Sequence, residues 1–145
     1  MASADPQPAT DVIDWNTFGQ ILEMDDDEDD REFSRSIVWN FFEQAENTFT
    51  QMDTALGNRD LEQLSSLGHF LKGSSAALGL TKVKNSCEKI QHLGAQKDET
   101  GTTDLNDPEF CLKEIKTILQ SVRQEYAESE SFLRKYYDSE GSGSN

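Results

Sequence analysis

Residues 61–80, LEQLSSLGHFLKGSSAALGL, form the stretch that decides the fold of this chain. Their leucines recur at steps of three and four residues, which is the spacing of one face of an α-helix. When the segment is projected at about 100° per residue, one face collects most of these leucines: Leu64, Leu67, Leu71 and Leu78. The pattern predicts an amphipathic helix over about 60–78, which Gly79 ends.

Helical periodicity continues on both sides of this segment, and the sequence contains no convincing β alternation or hairpin dipeptide. Five helices are predicted, over about 11–24, 34–56, 60–78, 81–93 and 108–137. The first is short, the other four are medium or long, and most connections are short. This arrangement predicts an all-α fold, an antiparallel four-helix bundle with a short additional N-terminal helix.

Several predicted helix ends depend on capping residues. Thr10 or Asp11 is placed to cap the first helix, and Thr81 is placed to cap the fourth, which Gly94 terminates. The tripeptide 107–109, Asp-Pro-Glu, is a strong start signal for the last helix. Its aspartate precedes a proline at the first helical position, and an acid follows in the first turn.

Length and charge bound the class of protein. A chain of 145 residues suits one domain, which we place at 10–138, between polar ends at 1–9 and 139–145 that we expect to be disordered. The net charge of −15 argues against nucleic acid or an anionic membrane as the main partner, because their phosphates would repel it. The acidic run 25–30 is interpreted as a solvated linker. No apolar stretch is long enough to span a membrane, and the first residues do not resemble a signal peptide.

Two cysteines, Cys87 and Cys111, match no metal-binding spacing and lie in segments predicted to be helical. Reduced, half-buried thiols are favoured over a disulfide, and they are typical of a protein of the cytoplasm or nucleus. The second histidine, His92, has no cysteine or carboxylate arrangement around it. A surface or boundary position is therefore favoured over a metal site.

His69 does not fit a purely structural interpretation of the 60–78 helix. On the projection it lies nearly opposite the leucine face, so we expect it to face water. Lys72 and Gly73 follow it by three and four residues and share its face. A glycine inside a helix costs about 1 kcal/mol relative to alanine, and no cap explains Gly73. We interpret this glycine as clearance that lets the surface of another protein approach the imidazole.

The charge around His69 is opposite to that of the chain as a whole. Residues 65–97 contain five lysines and one acid, Glu88, hence a net +4, whereas the remaining residues sum to −19. A positive region with an exposed imidazole suits a dianionic phosphoryl group, since a neutral imidazole nitrogen is a nucleophile near physiological pH. The same residues also fit an ordinary surface histidine beside solvated lysines, and both interpretations stay open on these features alone.

Residues 67–80, LGHFLKGSSAALGL, resemble the motif of the histidine-containing phosphotransfer (HPt) family, and most closely its fungal phosphorelay intermediates of the osmosensing type. The resemblance extends to further segments at 15–27, 49–52, 87–94 and 135–137, so it covers most of the chain. It implies a helical phosphocarrier of a multistep phosphorelay, as in an osmotic stress response. Such a carrier accepts a phosphoryl group from the receiver-domain aspartate of a hybrid histidine kinase and passes it to the receiver aspartate of a downstream response regulator.

The resemblance also assigns roles around the motif. His69 would be the phosphoacceptor, Lys72 would neutralise phosphate charge, and Gly73 would leave room for the receiver domain. Gln91 would hydrogen-bond the other ring nitrogen or a nearby group such as Ser74. No cofactor or metal is expected on this chain, because the receiver partner would bind the magnesium. The carrier is expected to be a monomer without ATP-binding or autokinase activity.

An apolar docking surface beside the histidine is also implied. Its candidate residues are Trp15, Phe18, Ile21, Met24, Phe33 and Phe70. Trp15 and Phe18 also fit an amphipathic cap that only covers the open end of the bundle. The chain departs from the family pattern at two positions. Thr17 replaces an aliphatic residue of the docking surface, and Ala95 replaces a basic residue that some relatives carry near the phosphate.

Two functions of other classes fit parts of the pattern. A helical adaptor with an incidental histidine is the main alternative. The phosphoacceptor domain of a histidine kinase is disfavoured, because Phe70 and Leu71 follow the histidine where an acidic residue and a proline are expected. The chain also has no room for an ATPase domain.

Two other segments match known ligand-binding loops only in part. The glycines of the 67–80 block resemble part of a phosphate-binding loop, but Lys72 precedes the second glycine and the segment is predicted to be helical. The acidic run resembles the start of a calcium-binding loop, but it has Asp30 where that loop needs glycine and Ser36 where it needs glutamate.

Overall fold

The computed structural model describes residues 13–25 and 31–143, with side chains through Asp138. Its helices, in chain order, are α1 (Trp15–Leu22), α2 (Glu32–Gly57), α3 (Leu61–Leu78), α4 (Thr81–Gly94) and α5 (Pro108–Gly143). The described part of the chain has no β-strand, and its only bridge is an isolated antiparallel pair, Lys97 with Asp104. The predicted all-α class is confirmed.

The helices pack as the predicted four-helix bundle with one short extra helix. α3 packs against both α4 and α2, α5 packs against α4 and α2, and α1 lies on α3. Among the described helices, none is both long and apolar enough to cross a membrane. The core between the helices is aliphatic and aromatic, and its largest fully buried side chains include Phe18, Met52, Leu64, Leu71, Ile115 and Tyr137.

Two of the predicted N-terminal caps are wrong. α1 begins at Trp15, and its cap is Asp14, whose carboxylate accepts a hydrogen bond from the backbone N–H of Asn16 at 3.0 Å. Thr10 and Asp11 lie outside the described residues. α4 has no side-chain cap. Gly79 turns the chain so sharply, with a φ of +80°, that Thr81 is already helical.

The start signal of α5 is confirmed, since Asp107 accepts a hydrogen bond from the backbone N–H of Phe110 at 3.1 Å. The helix extends further than predicted, through Gly143 instead of ending near Tyr137. Most of the tail that was expected to be disordered is therefore helical in the structure. The N-terminal segment 1–9, also predicted to be disordered, lies outside the described residues.

Gly94 ends α4, as predicted, and the packing of α4 against α3 explains why this residue is a glycine. It is the last residue of the helix, and a Cβ there would lie 2.6 Å from the backbone nitrogen of Ser65 and 2.7 Å from the backbone oxygen of Leu61. The left-handed residue that follows is Gln96, with a φ of +61°. Gly94 is therefore required by the close approach of α4 to α3.

The acidic run is not wholly a solvated linker. Asp25 has no exposed side-chain surface, and its carboxylate accepts hydrogen bonds from the backbone N–H and the hydroxyl of Ser34, at 2.8 and 2.7 Å. Arg31 lies 3.5 Å from the same carboxylate, and the Tyr137 hydroxyl donates to the Ser34 oxygen at 2.9 Å. This network joins the end of α1, the start of α2 and the end of α5.

Both cysteines are buried and unpaired, which confirms the predicted free thiols, although they are more deeply buried than predicted. Burial, reinforced by the nearby charge of Glu125, raises the pKa of Cys87 to about 12. Burial also raises the pKa of Cys111, with a smaller contribution from Asp107. Both thiols are therefore neutral in the native protein at physiological pH.

Candidate functional site

His69 lies on the exposed side of α3, as the helical projection predicts. The opposite side of the same helix carries Leu64, Leu67 and Leu71, which are buried in the core. The imidazole of His69 has no hydrogen bond or ion pair with any residue that the structure describes. It is a solvent-facing imidazole on a helix whose other face is fixed by packing.

Gly73 leaves open space one turn from His69. A Cβ at this position would have no atom within 4 Å outside its own helix, so the interior of the bundle does not require a glycine here. This open space agrees with the predicted clearance for an approaching protein surface.

Lys72 does not extend freely into solvent. Its Nζ lies 3.8 Å from a carboxylate oxygen of Glu88 on α4, and about a quarter of its side chain is exposed. Sequence reasoning counted Glu88 only as the single acid within the positive segment 65–97 and gave it no role. Its position as the only acid among these lysines was the sequence feature that could have identified it.

Gln91 lies beside the turn of α3 that precedes His69, because a Cβ on Gly68 would be 2.9 Å from the Gln91 backbone nitrogen. The hydrogen bond predicted from Gln91 to His69 or Ser74 is not formed. The Gln91 Oε1 atom is buried without a partner. The Ser74 hydroxyl instead donates to the carbonyl of Phe70 at 3.4 Å. Because Ser74 bonds within its own helix and His69 has no partner, neither side chain is hydrogen-bonded to the Gln91 amide.

The predicted docking residues fall into two groups. Met24, Phe33 and Phe70 are large, apolar and exposed, at 59%, 50% and 47% of their surface. Phe18 and Ile21, in contrast, are core residues, because the apolar face of α1 packs inward on the bundle. Including those two in an exposed surface was wrong.

Trp15 is intermediate between these groups. Its ring is partly buried and makes edge contacts with Phe18 and Phe132, with centroid distances of 5.9 and 5.8 Å. Its indole nitrogen is buried without a hydrogen-bond partner among the described residues. The structure therefore gives Trp15 a packing role at the end of the bundle.

A groove lies between α2 and α3 and begins on α3 at Ser74, five residues after His69. Its volume is about 250 Å³, and it is lined by Ile37, Asn40, Phe41, Gln44, Ser74, Ala77 and Leu78. Phe70 lies one helical turn before Ser74, so it stands at the end of the groove nearest the histidine. Sequence reasoning did not predict this groove, since it depends on how α2 and α3 are paired.

The other end of the groove points towards the exposed residues of the α1–α2 junction. Ile37 lines the groove one turn after Phe33 on α2. The hydrogen bonds between Asp25 and Ser34 bring the neighbouring Met24 close to Phe33. Exposed apolar side chains therefore stand at both ends of the groove, which is the composition expected of a protein-binding surface.

His92 belongs to a separate structure, the loop 96–106. Its Nδ1 lies 2.8 Å from the carbonyl of Glu99, and Gly101 packs against its ring. Within the same loop, the hydroxyl of Thr100 and the backbone N–H groups that follow it hold the pKa of Asp98 down at about 2. No group of three or more metal-ligating side chains occurs in the described ranges.

The structure thus combines an exposed histidine on the outer face of a four-helix bundle with a lysine and an open glycine in the next turn of the same helix. This combination is the one to compare with known families. The Hpt domain profile matches residues 36–125 of this chain, and the chain belongs to the Hpt domain family. The match includes His69 and every lining residue of the α2–α3 groove.

Fungal proteins are among the similar relatives. The chain is 48% identical over 131 residues to Multistep phosphorelay regulator 1 of Schizosaccharomyces pombe. This match covers 90% of this chain and 44% of that protein. The chain is 47% identical over 106 residues to the phosphorelay intermediate protein YPD1 of Candida albicans, covering 73% and 52%. The chain thus spans about half the length of these curated relatives.

Among solved structures, one similar chain is the histidine phosphotransfer signaling protein Ypd1 of Saccharomyces cerevisiae. It was co-crystallised with the receiver domain of its downstream response regulator Ssk1. That chain is 34% identical, with a TM-score of 0.77, and the match covers 88% of this chain and 95% of that one.

Proposed function

We propose that this protein is a phosphohistidine carrier of a multistep phosphorelay, with His69 as the phosphoacceptor. The observation that carries the proposal is the solvent-facing, unpartnered imidazole of His69 beside the open space at Gly73. A partner must bring its phosphorylated aspartate within bonding distance of the ring, and only a surface histidine with clearance allows that approach. Membership of the Hpt family and the phosphorelay relatives support the same function.

In the proposed reaction, an imidazole nitrogen of His69 attacks the phosphorus of an aspartyl phosphate in line with the leaving oxygen. The N–P bond forms as the P–O bond breaks, and its electron pair leaves with the aspartate carboxylate. The proton on the other ring nitrogen stays in place. The reverse attack by a second receiver aspartate returns the imidazole to its neutral state, so the carrier itself needs no ATP.

Lys72 supplies positive charge one turn from the ring, where the phosphoryl oxygens concentrate negative charge. We assign the magnesium requirement to the receiver domain and no cofactor to this chain. The main contribution of this chain is then positioning, because the packed core holds α3, and with it the histidine, in one orientation.

The receiver domain is proposed to dock over the α2–α3 groove and the exposed residues Met24, Phe33 and Phe70. Its partners would be the receiver of a hybrid histidine kinase and the receivers of response regulators. The co-crystal of the yeast relative with a response-regulator receiver domain supports this class of partner. We further propose a monomeric carrier, active in the cytoplasm and nucleus in an osmotic stress response.

The test is transfer of label from a ³²P-phosphorylated receiver domain to the full chain. Wild type is expected to gain label that is acid-labile and alkali-stable. His69→Gln should abolish this label, and Gly73→Gln should reduce it at least tenfold while the protein stays folded by circular dichroism. The chain offers a matched control, because it contains only one other histidine, and His92→Gln should accept label normally. Equal labelling of His69→Gln and wild type would favour the helical adaptor instead.

A further inference from the structure

Building on the proposed function, we infer that Glu88 is the resident counterion of Lys72 and opposes phosphorylation of His69. In the unphosphorylated protein its carboxylate holds the lysine. When a phosphoryl group arrives, the same carboxylate competes with it for the lysine and repels it. Glu88 thereby shifts the transfer equilibrium away from phosphohistidine and towards the receiver domain.

The α3–α4 contact fixes Glu88 near the histidine. A Cβ on Gly68, the residue before His69, would lie 2.8 Å from the backbone oxygen of Cys87, the residue before Glu88. The Ser65 hydroxyl also donates to the carbonyl of Gln91 at 2.8 Å, three residues after Glu88. The two helix backbones meet on both sides of Glu88, so this residue cannot move away from α3 without disrupting the core.

Lys72 is a neighbour of both His69 and Glu88. Lys72 follows His69 by about one turn of α3, and its Nζ lies 3.8 Å from the Glu88 carboxylate. The Glu88 side chain is 44% exposed, and the Lys72 side chain 27%. Because Lys72 lies about one turn from His69 and both charged side chains are partly buried, water screens their effect on a new charge at the imidazole only in part.

The charge distribution along the sequence singles out this carboxylate. Glu88 is the only acid among residues 65–97, and Lys84 precedes it by one turn on the same side of α4. Transfer places a phosphoryl group with a charge near −2 on His69, and the retained ring proton brings the net charge of the side chain to about −1. Of all the groups in this segment, Glu88 alone disfavours the phosphorylated state electrostatically.

The effect concerns the equilibrium of the transfer, not its bonding steps. The N–P bond forms and the P–O bond breaks as described above, and Glu88 neither donates nor accepts a proton. Its charge is unchanged, but its interaction energy with the phosphorylated state is less favourable than with the free imidazole. Removing the charge should therefore raise the fraction of label on His69 at equilibrium.

The experiment measures the ratio of phosphohistidine to phosphoaspartate after transfer between the receiver domain and the full chain reaches equilibrium. Glu88→Gln is expected to raise this ratio about three- to tenfold at low ionic strength, and less in 1 M salt. In a Lys72→Gln background the same substitution should have at most half this effect, since there is no lysine left to compete for. Glu128→Gln, an exposed residue of α5, removes the same charge elsewhere and should leave the ratio unchanged.

An unchanged ratio in Glu88→Gln, with wild type labelled normally, would overturn the role of Glu88 and leave the proposed function intact. An equal rise in Glu128→Gln would overturn it as well, because total charge would then explain the effect. Failure of wild type to accept any label would instead contradict the proposed function. Thermal unfolding by circular dichroism checks that each variant is folded at the assay temperature.

Discussion

Two glycines of α3, five residues apart, have opposite reasons for being glycine. At Gly68 the backbone of α4 is so close that a Cβ would lie 2.8 Å from the Cys87 oxygen and 2.9 Å from the Gln91 nitrogen. At Gly73 there is nothing within 4 Å. The first glycine is required by packing inside the molecule, whereas the second has no packing role within the described structure and fits the clearance proposed for a partner.

This difference predicts opposite effects of the same substitution on stability. Gly68→Ala should lower the free energy of unfolding by about 1–3 kcal/mol, because α3 and α4 must separate to admit the methyl group. Gly73→Ala should raise it by up to about 1 kcal/mol, since alanine is the better helix former and meets no neighbour. Urea unfolding followed at 222 nm measures both. Loss of stability in Gly73→Ala similar to that in Gly68→Ala would contradict the packing difference.

For single residues, the sequence predicts features that depend on one helix and misses features that depend on the contact between two helices. A single helical projection is enough to place His69 and Gly73 on the water-facing side of α3. The packing glycines Gly68 and Gly94 and the Lys72–Glu88 pair require knowing which helices touch and at what register. The same limit explains the hydrogen bond wrongly predicted for Gln91.

At the scale of elements, α1 shows how an amphipathic helix next to a functional site can be misassigned. Its apolar residues Phe18 and Ile21 were interpreted as a partner surface, but they are buried against the rest of the core. The ring of Phe18 contacts those of Tyr136 and Tyr137 at the end of α5. Periodicity identifies an apolar face, but it cannot tell whether this chain or another one covers it.

This assignment gives different predictions for two apolar-to-aspartate substitutions. Ile21→Asp should lower the free energy of unfolding by about 3 kcal/mol or more, because it places a carboxylate in the core. Phe33→Asp should change stability by no more than about 0.5 kcal/mol, yet weaken receiver binding at least tenfold. Chemical unfolding gives the first quantity and titration calorimetry with a receiver domain gives the second.

Phe110 provides the matched control for Phe33→Asp. It is exposed to a similar extent, 45%, but lies at the start of α5, where Arg59 and Glu109 pair beside the α2–α3 turn. That turn is at the opposite end of α2 from Phe33. Phe110→Asp should leave receiver binding unchanged, and equal weakening by both substitutions would place the docking surface elsewhere.

For the molecule as a whole, the sequence predicts the architecture but not the junctions that hold it together. Five amphipathic segments with clear stop signals are enough for a bundle, because each must bury one face against the others. The network of Asp25, Ser34 and Tyr137 spans more than a hundred residues of chain. Nothing local in the acidic run distinguishes Asp25 from the aspartates after it, so the network could not be predicted.

The buried acids of the core make the whole bundle sensitive to alkali. Burial raises the pKa of Cys87 to about 12, and burial also raises the pKa of Tyr137 to about 12. The pKa of Tyr126 is raised as well, by burial first and then by the charges of Glu130 and Glu46. In the unfolded chain a thiol ionises near pH 8.5 and a phenol near pH 10. Between these pKa values and pH 12, the buried thiol and phenol groups keep their protons in the folded state but lose them in the unfolded chain.

Stability should therefore fall as the pH rises above about 9, since it decreases wherever the native state binds more protons. Cys87 alone should account for a loss of about 2 kcal/mol between pH 7.5 and pH 10, with Cys111 adding to it and the tyrosines following at higher pH. Urea unfolding at a series of pH values measures the loss. In Cys87→Ala the absolute stability is lower, but the loss between pH 7.5 and pH 10 should be smaller by about 2 kcal/mol, because no thiol remains at this position to ionise on unfolding. An identical pH dependence in the variant and wild type would show that Cys87 ionises in the folded protein as readily as in the unfolded chain.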